Sequence, residues 1–338
     1  MGSADLEGFA QAPSRFFVSV CISHYPAYTT AMKKVDPNRI APVHKSGFVA
    51  VVGKPNVGKS TLVNAYVGAK VAIVSPKPQT TRRVIRGILT RPDAQIIFVD
   101  TPGIHRPQHR LGKAMVEAAS GVLSEVDVVI FLVDGSRMPD EDDKRIGQML
   151  DSKCNAPVLL ALNKMDRLRP ENIEAVTQSY WAIVKHADWM RLSATREENI
   201  DKLLDQALTR LPEGPEMYPT DIVTDQNIQA MASELIREQV LLQTRQEVPH
   251  SVAVAIDEWD ERSEELTHIG ATIYVERDSQ KGIIIGAGGA MLKQIGSSAR
   301  EQIEEWVGHK VFLELWVKVW DKWRDSSNSL RELGLTSG

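Results

Sequence analysis

Residues 53–60 read GKPNVGKS, which is a phosphate-binding loop of the form GxxxxGK[ST]. The loop follows the apolar stretch at 48–52 and precedes a helical pattern, the strand–loop–helix context in which this motif holds phosphates. Its glycines let successive N–H groups converge on an anion at a helix N-terminus. Lys59 supplies positive charge to the β- and γ-phosphates, and the Ser60 hydroxyl is a ligand for Mg²⁺. A glycine turn with a solvated lysine is the alternative, but the context favours a nucleoside triphosphate site.

Three later motifs, each behind an apolar run, bear on the choice of base. DTPG at 100–103 places an aspartate to hold Mg²⁺ and a glycine to approach the γ-phosphate. NKMD at 163–166 ends in Asp166, whose carboxylate accepts from two neighbouring donors that guanine has and adenine lacks. SAT at 193–195 could offer backbone N–H groups to the guanine carbonyl. SAT alone is a weak signal and Asp166 alone could be a turn residue, but four motifs in this order predict a GTP site.

The segment from about residue 45 to residue 215 resembles the G domain of the translational GTPase superfamily, and QTTRR at 79–83 resembles the switch segment of the Era subfamily. The resemblance implies that Thr81, or alternatively Thr80, closes onto Mg²⁺ and the γ-phosphate; a polar loop without this role is the other interpretation. It also implies roles for three groups of residues. The catalytic group is Lys59, Thr81 and Gly103, and the metal ligands are Ser60, Thr81 and Asp100. The GTP-binding residues are Gly53, Lys54, Pro55, Asn56, Val57, Gly58, Lys59, Ser60, Thr61, Asp100, Thr101, Pro102, Gly103, Ile104, Asn163, Lys164, Asp166, Ser193, Ala194 and Thr195.

The second half of the chain has the order of a type II KH domain. From about Asn227 the pattern predicts a helix, strands at Ser251–Ile256 and Leu266–Val275, two helices, and a strand at Val311–Val319. The loop between the two helices reads GAGG at 286–289, a GXXG motif that in KH domains clamps single-stranded nucleotides. A lone GXXG is usually an ordinary turn, but its apolar flanks favour RNA binding here. The predicted RNA-binding residues are Lys281, Gly286, Ala287, Gly288, Gly289 and Lys293.

A G domain followed by a KH domain resembles the Era-type GTPases, and the resemblance covers nearly everything after Lys45. It implies a slow GTPase switch that uses GTP and Mg²⁺ and acts in maturation and assembly of the small ribosomal subunit. The implied partner is single-stranded RNA near the 3′ end of 16S rRNA. The implied location is cytoplasmic, with peripheral contact with the inner membrane left open, and no obligate oligomer is implied. A metabolic NTP-dependent enzyme and a protein that binds GTP without hydrolysing it are the alternatives.

The predicted fold class is α/β: a P-loop GTPase domain with a mostly parallel sheet flanked by helices, followed by an α+β type II KH domain. Strands alternate with helices predicted at 111–124, 142–151, 171–185 and 199–211, and such alternation indicates a sheet covered on both faces. Three prolines and a glycine at 211–220 suggest an interdomain linker. The predicted divisions are a poorly ordered extension (1–45), the GTPase domain (46–214), a linker and connecting helix (215–244), the KH domain (245–325) and a tail (326–338).

Composition limits these interpretations. A length of 338 residues suits two domains, and a net charge of −4 argues against a broad, non-specific electrostatic hold on RNA. Apolar runs such as 126–133 are too short to span a bilayer. Cys21 and Cys154 have no metal or redox spacing, which indicates a reducing compartment. The first 45 residues lack the features of a targeting peptide, and Met32 is an alternative start.

Two further features bear on mechanism and RNA contact. Ile104 stands where Ras-type GTPases place a water-orienting glutamine, so the resemblance implies charge stabilisation by Lys59, Mg²⁺ and a K⁺ ion beside Asn56, although Asn56 could equally brace the loop. In the last strand, alternation predicts that the valines and leucines of 311–319 form one buried face. The opposite face carries aromatic and basic residues that could stack on RNA, but packing of its tryptophans against the protein is the favoured interpretation.

Overall fold

A computed structural model describes residues 44–245 and 248–336. The predicted N-terminal extension lies outside the described residues except for positions 44 and 45, and the alternative start at Met32 lies outside them as well. The described chain forms one sheet of six strands and one of three, each with its own helices. The predicted fold class, a P-loop GTPase domain followed by a KH domain, is confirmed.

The larger sheet is mostly parallel. Its order is β2-β3-β1-β4-β5-β6, and β2 is the antiparallel member. The central strands are continuous apolar runs because helices cover both faces of the sheet. The strand bounds are β1 (Lys45–Val52), β2 (Ile85–Arg91), β3 (Ala94–Asp100), β4 (Val128–Asp134), β5 (Val158–Asn163) and β6 (Asp188–Arg191).

Five helices enclose two cores of this domain. One core joins the sheet to α1 and α5 through residues such as Leu62 and Leu203, and the other contains Ile146 and Tyr180 from α3 and α4. The predicted helix 171–185 was too long, because the chain starts there with a 3₁₀ turn at Pro170–Asn172 and turns again after Trp181. The helix bounds are α1 (Lys59–Val67), α2 (Arg110–Gly121), α3 (Glu141–Lys153), α4 (Ile173–Trp181) and α5 (Ile200–Arg210).

The order of the strands determines where the motifs meet. After β1 the chain adds β3 on one side and β4 on the other, so the sheet has its topological switch point at β1. Ligands of such sheets bind at the carboxyl ends of the strands near that point. The phosphate-binding loop follows β1, DTPG follows β3 and NKMD follows β5, and all three therefore lie at the same edge.

The second domain has β8 at the centre of its sheet, antiparallel to β7 and parallel to β9. Helices α6 and α8 pack on one face of this sheet. The strand predicted at 251–256 was misplaced, because it starts at Ala253, after a 3₁₀ turn, and ends at Ser263. Its pairing with β8 contains two register shifts. The bounds are α6 (Ile228–Gln243), β7 (Ala253–Ser263), β8 (Leu266–Val275), α7 (Asp278–Ile285), α8 (Ala290–Val307), β9 (Lys310–Val319) and α9 (Ser327–Glu332).

Both the predicted linker and the predicted tail pack against the GTPase domain. Gln95 in β3 accepts from the backbone N–H groups of Met217 and Tyr218 at 2.7 and 2.8 Å, and the N–H of Ile88 donates to Val223 at 2.8 Å. The linker is therefore docked along the sheet edge. The predicted tail forms α9, and its Leu330 packs in a small core with residues of α2. None of the described helices is long and apolar enough to cross a membrane.

Candidate GTP site and RNA-binding groove

The phosphate-binding loop adopts the conformation that its glycines permit. Gly58, just before α1, has a φ of +104°, and a Cβ there would lie only 2.4 Å from the side-chain nitrogen of Asn163. A side chain at this position would be strained and would also collide with the NKMD motif. Glycine at 58 therefore allows the loop and the base-recognition segment to lie side by side.

The two lysines of the loop have different surroundings. Lys59 is buried and donates from Nζ to the carbonyls of Lys54 at 2.9 Å and Gly53 at 3.3 Å, and it lines the pocket that the loop encloses. Burial lowers the pKa of Lys59 to about 8, against the opposing attraction of Asp100. The ammonium of Lys54 points elsewhere, since it lies 2.6 Å from carboxylate oxygens of both Asp140 and Asp143. Lys54 thus offers its backbone to the site and ties the loop to α3 with its side chain.

The three predicted Mg²⁺ ligands form one cluster. Ser60 Oγ donates to Asp100 Oδ2 at 2.6 Å and lies 2.8 Å from Thr81 Oγ1, which is 3.3 Å from the same carboxylate oxygen. Thr80 turns the other way and donates to the carbonyl of Lys77 at 2.7 Å. Of the two threonines considered from the sequence, Thr81 therefore lies at the cluster.

The cluster also has the chemistry that suits a hard cation. Asp100 is fully buried, and its Oδ1 has no hydrogen-bond partner among the described residues. Burial raises the pKa of Asp100, while Lys59 and the two hydroxyls act in the opposite direction. Oxygen donors around a desolvated carboxylate are what Mg²⁺ prefers. When bound with the nucleotide, Mg²⁺ would neutralise charge on the β- and γ-phosphates.

The predicted base-recognition residues meet at the same edge of the sheet. Asn163 donates to the carbonyl of Val57 at 2.7 Å and accepts from the N–H of Ala194 at 2.9 Å, so it joins three motifs. Asp166 accepts from the Ser193 hydroxyl at 2.8 Å, which fixes the orientation of the carboxylate. These contacts leave the site with the hydrogen-bonding groups that a guanine ring requires.

A salt bridge on β4 supports this region and was missed from the sequence. Lys164 donates to the backbone carbonyl of Asn56 at 2.6 Å and to Asp134 at 2.9 Å. Although burial opposes it, hydrogen bonds from Ser136 and Lys164 hold the pKa of Asp134 below its ordinary value. Asp134 could have been identified as a candidate site residue from the sequence, because it ends a buried apolar strand.

Ile104 is buried, whereas its neighbours Gly103 and His105 meet the QTTRR segment. Ile104 is only 3% exposed and belongs to the core on the α2 side of the sheet, which agrees with its inability to orient water. Next to it, the His105 ring lies 3.0 Å from the carbonyl of Gly103 and 2.9 Å from the amide nitrogen of Gln79. Gln79 has a φ of +61° and lines the pocket together with Gly103. A polar contact therefore joins the residues after DTPG to the first residue of the QTTRR segment.

The QTTRR segment is buried against the second domain. Arg82 donates from Nη1 to the carbonyl of Val252 at 2.6 Å, and its guanidinium lies over the Trp323 ring. Burial, and then the nearby charge of Arg237, lower the pKa of Arg82. Arg237 in α6 donates to the carbonyl of Thr80. Of the residues on either side of Thr81, Arg82 thus contacts the KH domain at Val252, and Thr80 contacts the connecting helix α6 at Arg237.

A second contact runs through α2, which follows DTPG. Leu111 and Met115 pack with Trp323 and Leu330 in a core that both domains share. At the start of α2, the N–H of Arg110 donates to Asp325 at 3.2 Å. The QTTRR segment and the helix after DTPG therefore both reach the C-terminal part of the KH domain.

The GXXG loop lies between α7 and α8. Gly286, Gly288 and Gly289 have φ values of +70°, +57° and +82°, and nothing lies within 4 Å of a Cβ placed on the last two. The loop is therefore both left-handed and open to a phosphate backbone. Lys281 lies half-buried on α7 just before it.

A groove leads from this loop along α8 to the edge strand β9. The predicted residues Gly289 and Lys293 line it, whereas the remaining lining residues were not predicted as contacts. Their α-helical or strand spacing could have identified them, because every third or fourth residue of α8 and alternate residues of β9 face one groove. The lining residues that were not predicted as contacts are Leu292, Gly296, Ser297, Arg300, Leu313 and Leu315.

The last strand corrects two sequence-based expectations. Val319 is 38% exposed rather than buried, since it ends a strand that has a neighbour on one side only. Trp323 is fully buried and donates to the carbonyl of Ser251 at 2.9 Å, as the favoured interpretation required. Trp316 does not follow that interpretation, because 45% of its surface is exposed. Phe312 on the same face is 52% exposed.

Comparison with known proteins gives the same two-part division. Residues 48–164 match a family described as 50S ribosome-binding GTPase, and residues 247–324 match the KH domain family. The chain is similar to Era crystallised with MgGDPNP and nucleotides 1506–1542 of 16S ribosomal RNA, with 40% identity over 87% of this chain and 100% of that chain and a TM-score of 0.82. It is also similar to a single-residue variant of Aquifex aeolicus Era bound to GDP·AlF4⁻, with 39% identity, the same coverage and a TM-score of 0.82. The chain belongs to the Era family of GTPases.

Proposed function

We propose that this GTPase uses its nucleotide state to control binding of single-stranded RNA from the 3′ region of 16S rRNA, and that it thereby acts in small-subunit maturation. The observation that carries the proposal is the position of Arg82, which follows Thr81 at the Mg²⁺ cluster and bonds to Val252 in the KH domain. The relative crystallised with 16S nucleotides 1506–1542 supports the choice of RNA.

The residues of the chain would perform the switch as follows. Lys59, Ser60 and Asp100 would hold the phosphates and their Mg²⁺, and Thr81, which lies beside Ser60, would complete the set of ligands when a γ-phosphate is present. Loss of the γ-phosphate would remove one of the partners that hold Thr81 in place. Arg82 connects that segment to the KH domain, and Arg237 connects it to α6, which packs on the KH sheet, so its release would change the contacts on which the position of the RNA groove depends.

The RNA would lie in the groove beside the GXXG loop. Open glycines admit the phosphate backbone, and Lys293 and Arg300 provide positive charge on the α8 side. Leu313 and Leu315 offer an apolar wall against which bases can pack. The overall charge of −4 disfavours a broad, non-specific hold on RNA and favours a specific contact.

Binding of a synthetic RNA with the sequence of the 16S 3′ end tests the proposal. Affinity is measured with the non-hydrolysable analogue GDPNP and with GDP at fixed salt concentration, using an RNA of scrambled sequence as control. A difference of at least about fivefold between the two nucleotides is expected, within the usual range of coupling between sites. Equal affinities would contradict nucleotide control, and equal binding of the scrambled RNA would contradict the choice of RNA.

The cellular location follows from the same proposal. Action in ribosome assembly would place the protein in the cytoplasm, which fractionation of cells would test. Crosslinking in cells followed by sequencing of the bound RNA would test the partner. A peripheral contact with the inner membrane rests on the family resemblance alone. Flotation with vesicles that contain anionic lipid would test it, and absence from the floated fraction would count against it.

A further inference from the structure

The three-stranded sheet has an outer face, opposite to the face that α6 and α8 cover. On β9 this outer face is formed by alternate residues, because Leu313 and Leu315 pack on the core side. Two of its side chains are large aromatics: Phe312 is 52% exposed and Trp316 is 45% exposed. Exposed aromatic residues on one sheet face are typical of a protein interface.

Carboxylates lie between and beside these rings. His268 on β8 stands opposite Phe312, with ring centres 5.5 Å apart. Its Nε2 lies 2.9 Å from Glu314 and its Nδ1 lies 3.3 Å from Glu258, and the side chains of these glutamates are 45% and 54% exposed. Asp260, which pairs opposite His268, extends the row. The outer face therefore presents negative charge around an apolar centre.

Trp316 lies over the neighbouring strand despite its exposure. A Cβ on Gly270 would lie 3.2 Å from Cζ3 of the Trp316 ring and 3.2 Å from Cβ of Glu258. The ring thus leans across the bare backbone of β8 towards the carboxylate on β7. A rigid aromatic beside an acidic group costs little conformational entropy on binding, which favours it as an anchor for a partner.

The sign of the charge restricts the partner. RNA phosphates and anionic lipids would be repelled by Glu258, Asp260 and Glu314, and a second copy would bring the same charge against itself. Three basic residues lie on the same strands: Arg262 is paired with Asp260, Lys310 is paired with Glu304 of α8, and Lys318 lies two residues beyond Trp316, at the far end of β9 from Phe312 and Glu314. Glu258 and Glu314 therefore keep their negative charge without a lysine or arginine partner among the described residues. Arginine or lysine side chains satisfy both features, because they pair with carboxylates and stack on aromatic rings.

We propose that the outer face, defined by Phe312, Trp316, Glu258 and Glu314, binds an arginine- and lysine-rich segment of a small-subunit protein while the groove beside α8 holds RNA. The two surfaces lie on opposite sides of one sheet, so both can be occupied together. This inference rests on the proposed function, because it assumes that the small ribosomal subunit is the target.

The test compares two targets that share the same RNA: intact small ribosomal subunits and protein-free 16S rRNA. One variant combines Phe312→Ser with Trp316→Ser, and a second combines Glu258→Gln with Glu314→Gln, which keeps a hydrogen-bonding group beside His268. The control is Trp181→Ser in α4, where the tryptophan is exposed to a similar extent, 43%. Each pair should weaken binding to subunits by about tenfold or more, as expected for interface anchors, and leave binding to protein-free 16S rRNA unchanged.

Each outcome has a distinct meaning once thermal unfolding shows which variants are folded. Undiminished binding of a folded variant to subunits would overturn the docking proposal. Equal losses on subunits and on protein-free 16S rRNA would also overturn it, because the outer face would then contact RNA. Failure of the unaltered protein to bind protein-free 16S rRNA would contradict the proposed RNA function, and the docking face would then be supported if the unaltered protein bound subunits and both paired variants lost that binding.

Discussion

The guanidinium of Arg82 lies 5.5 Å from the centre of the Trp323 ring, so the residue after Thr81 stacks on a buried tryptophan of the KH domain. Arg82 is itself only 3% exposed, and its neighbour Arg237 binds the backbone on the other side of Thr81. A displacement of Thr81 by even a few ångströms would break these contacts. The contact between Arg82 and Trp323 is therefore the most direct structural link between the nucleotide site and the domain that carries the RNA groove.

The first prediction concerns this route. Arg82→Ala should reduce the difference in RNA affinity between the GDPNP and GDP states to less than about twofold, because it removes the contacts to Val252 and Trp323. Arg86→Ala is the matched control, since Arg86 lies on β2 in an exposed pair with Asp225. RNA titrations in both nucleotide states measure the effect. Full nucleotide dependence in a folded Arg82→Ala protein would exclude this route.

The second prediction concerns the choice of base. Asp166→Asn should lose at least roughly 2 kcal/mol of GTP binding, because a donor then faces the guanine donors. Xanthosine triphosphate, which carries a carbonyl in place of the amine, should bind the variant better than GTP does. Titration of both nucleotides against both proteins measures the change. An unaltered preference for GTP would remove Asp166 from the site.

The third prediction uses the pKa of Lys59, which is lowered to about 8 by burial. Bound phosphates favour the charged ammonium and raise this pKa, so GTP binding takes up a proton above pH 8. GTP affinity should then fall with rising pH, by up to about tenfold per unit above 8, and stay flat below it. Titrations between pH 7 and pH 9 measure this, with Lys59→Arg as the control that keeps its charge. The same slope in both proteins would assign the effect to another group.

How much of this site the sequence could predict depends on how local each interaction is. The phosphate-binding loop, DTPG and NKMD depend on backbone conformation within a few residues, so the pattern located them. The side-chain direction of Lys54, the contact of Arg82 with Trp323 and the salt bridge of Lys164 with Asp134 join residues from different parts of the chain. No periodicity within one segment encodes such contacts, because each depends on how separate elements pack.

In the fold, too, features that depend on local pattern were predicted and features that depend on packing between elements were not. Strand β8 was predicted with its observed bounds, Leu266–Val275, because it is central and apolar on its core side. Strand β7 was misplaced because its outer half, towards Ser263, is polar and exposed, and hydrophobic pattern gives no signal there. The tail was not predicted to fold because α9 has only six residues, and its stability comes from packing Leu330 on another domain.

The fourth prediction concerns K⁺. The side chain of Asn56 donates from Nδ2 to the carbonyl of Pro76 at 2.9 Å, which leaves its oxygen as an acceptor near the phosphate loop. A cation at that oxygen would spread charge in the transition state, where Ile104 offers nothing. Hydrolysis should be at least about fivefold faster in potassium than in sodium salts at equal ionic strength, and Asn56→Ala should remove the difference. Equal rates in the two salts would favour the bracing role of Asn56.

The last prediction separates the two halves of the molecule. Neither Ala287 nor Gly288 is basic, and both are exposed in the GXXG loop, so RNA must be held there by backbone groups and by flanking residues such as Lys293. Ala287→Asp with Gly288→Asp places negative charge against the RNA phosphates without entering the core. RNA affinity should fall by about tenfold or more, while GTP hydrolysis in the absence of RNA stays at the level of the parent protein.

A matched variant separates the effect of charge from that of the loop itself. Ala287→Asn with Gly288→Asn has nearly the same shape and strains Gly288, whose φ is +57°, in the same way, but adds no charge. Thermal unfolding of both variants shows whether the domain remains folded. If the folded aspartate variant bound the 16S 3′ RNA as tightly as the parent protein, the RNA would have to lie elsewhere. If the asparagine variant lost as much affinity, backbone strain rather than charge would be the cause.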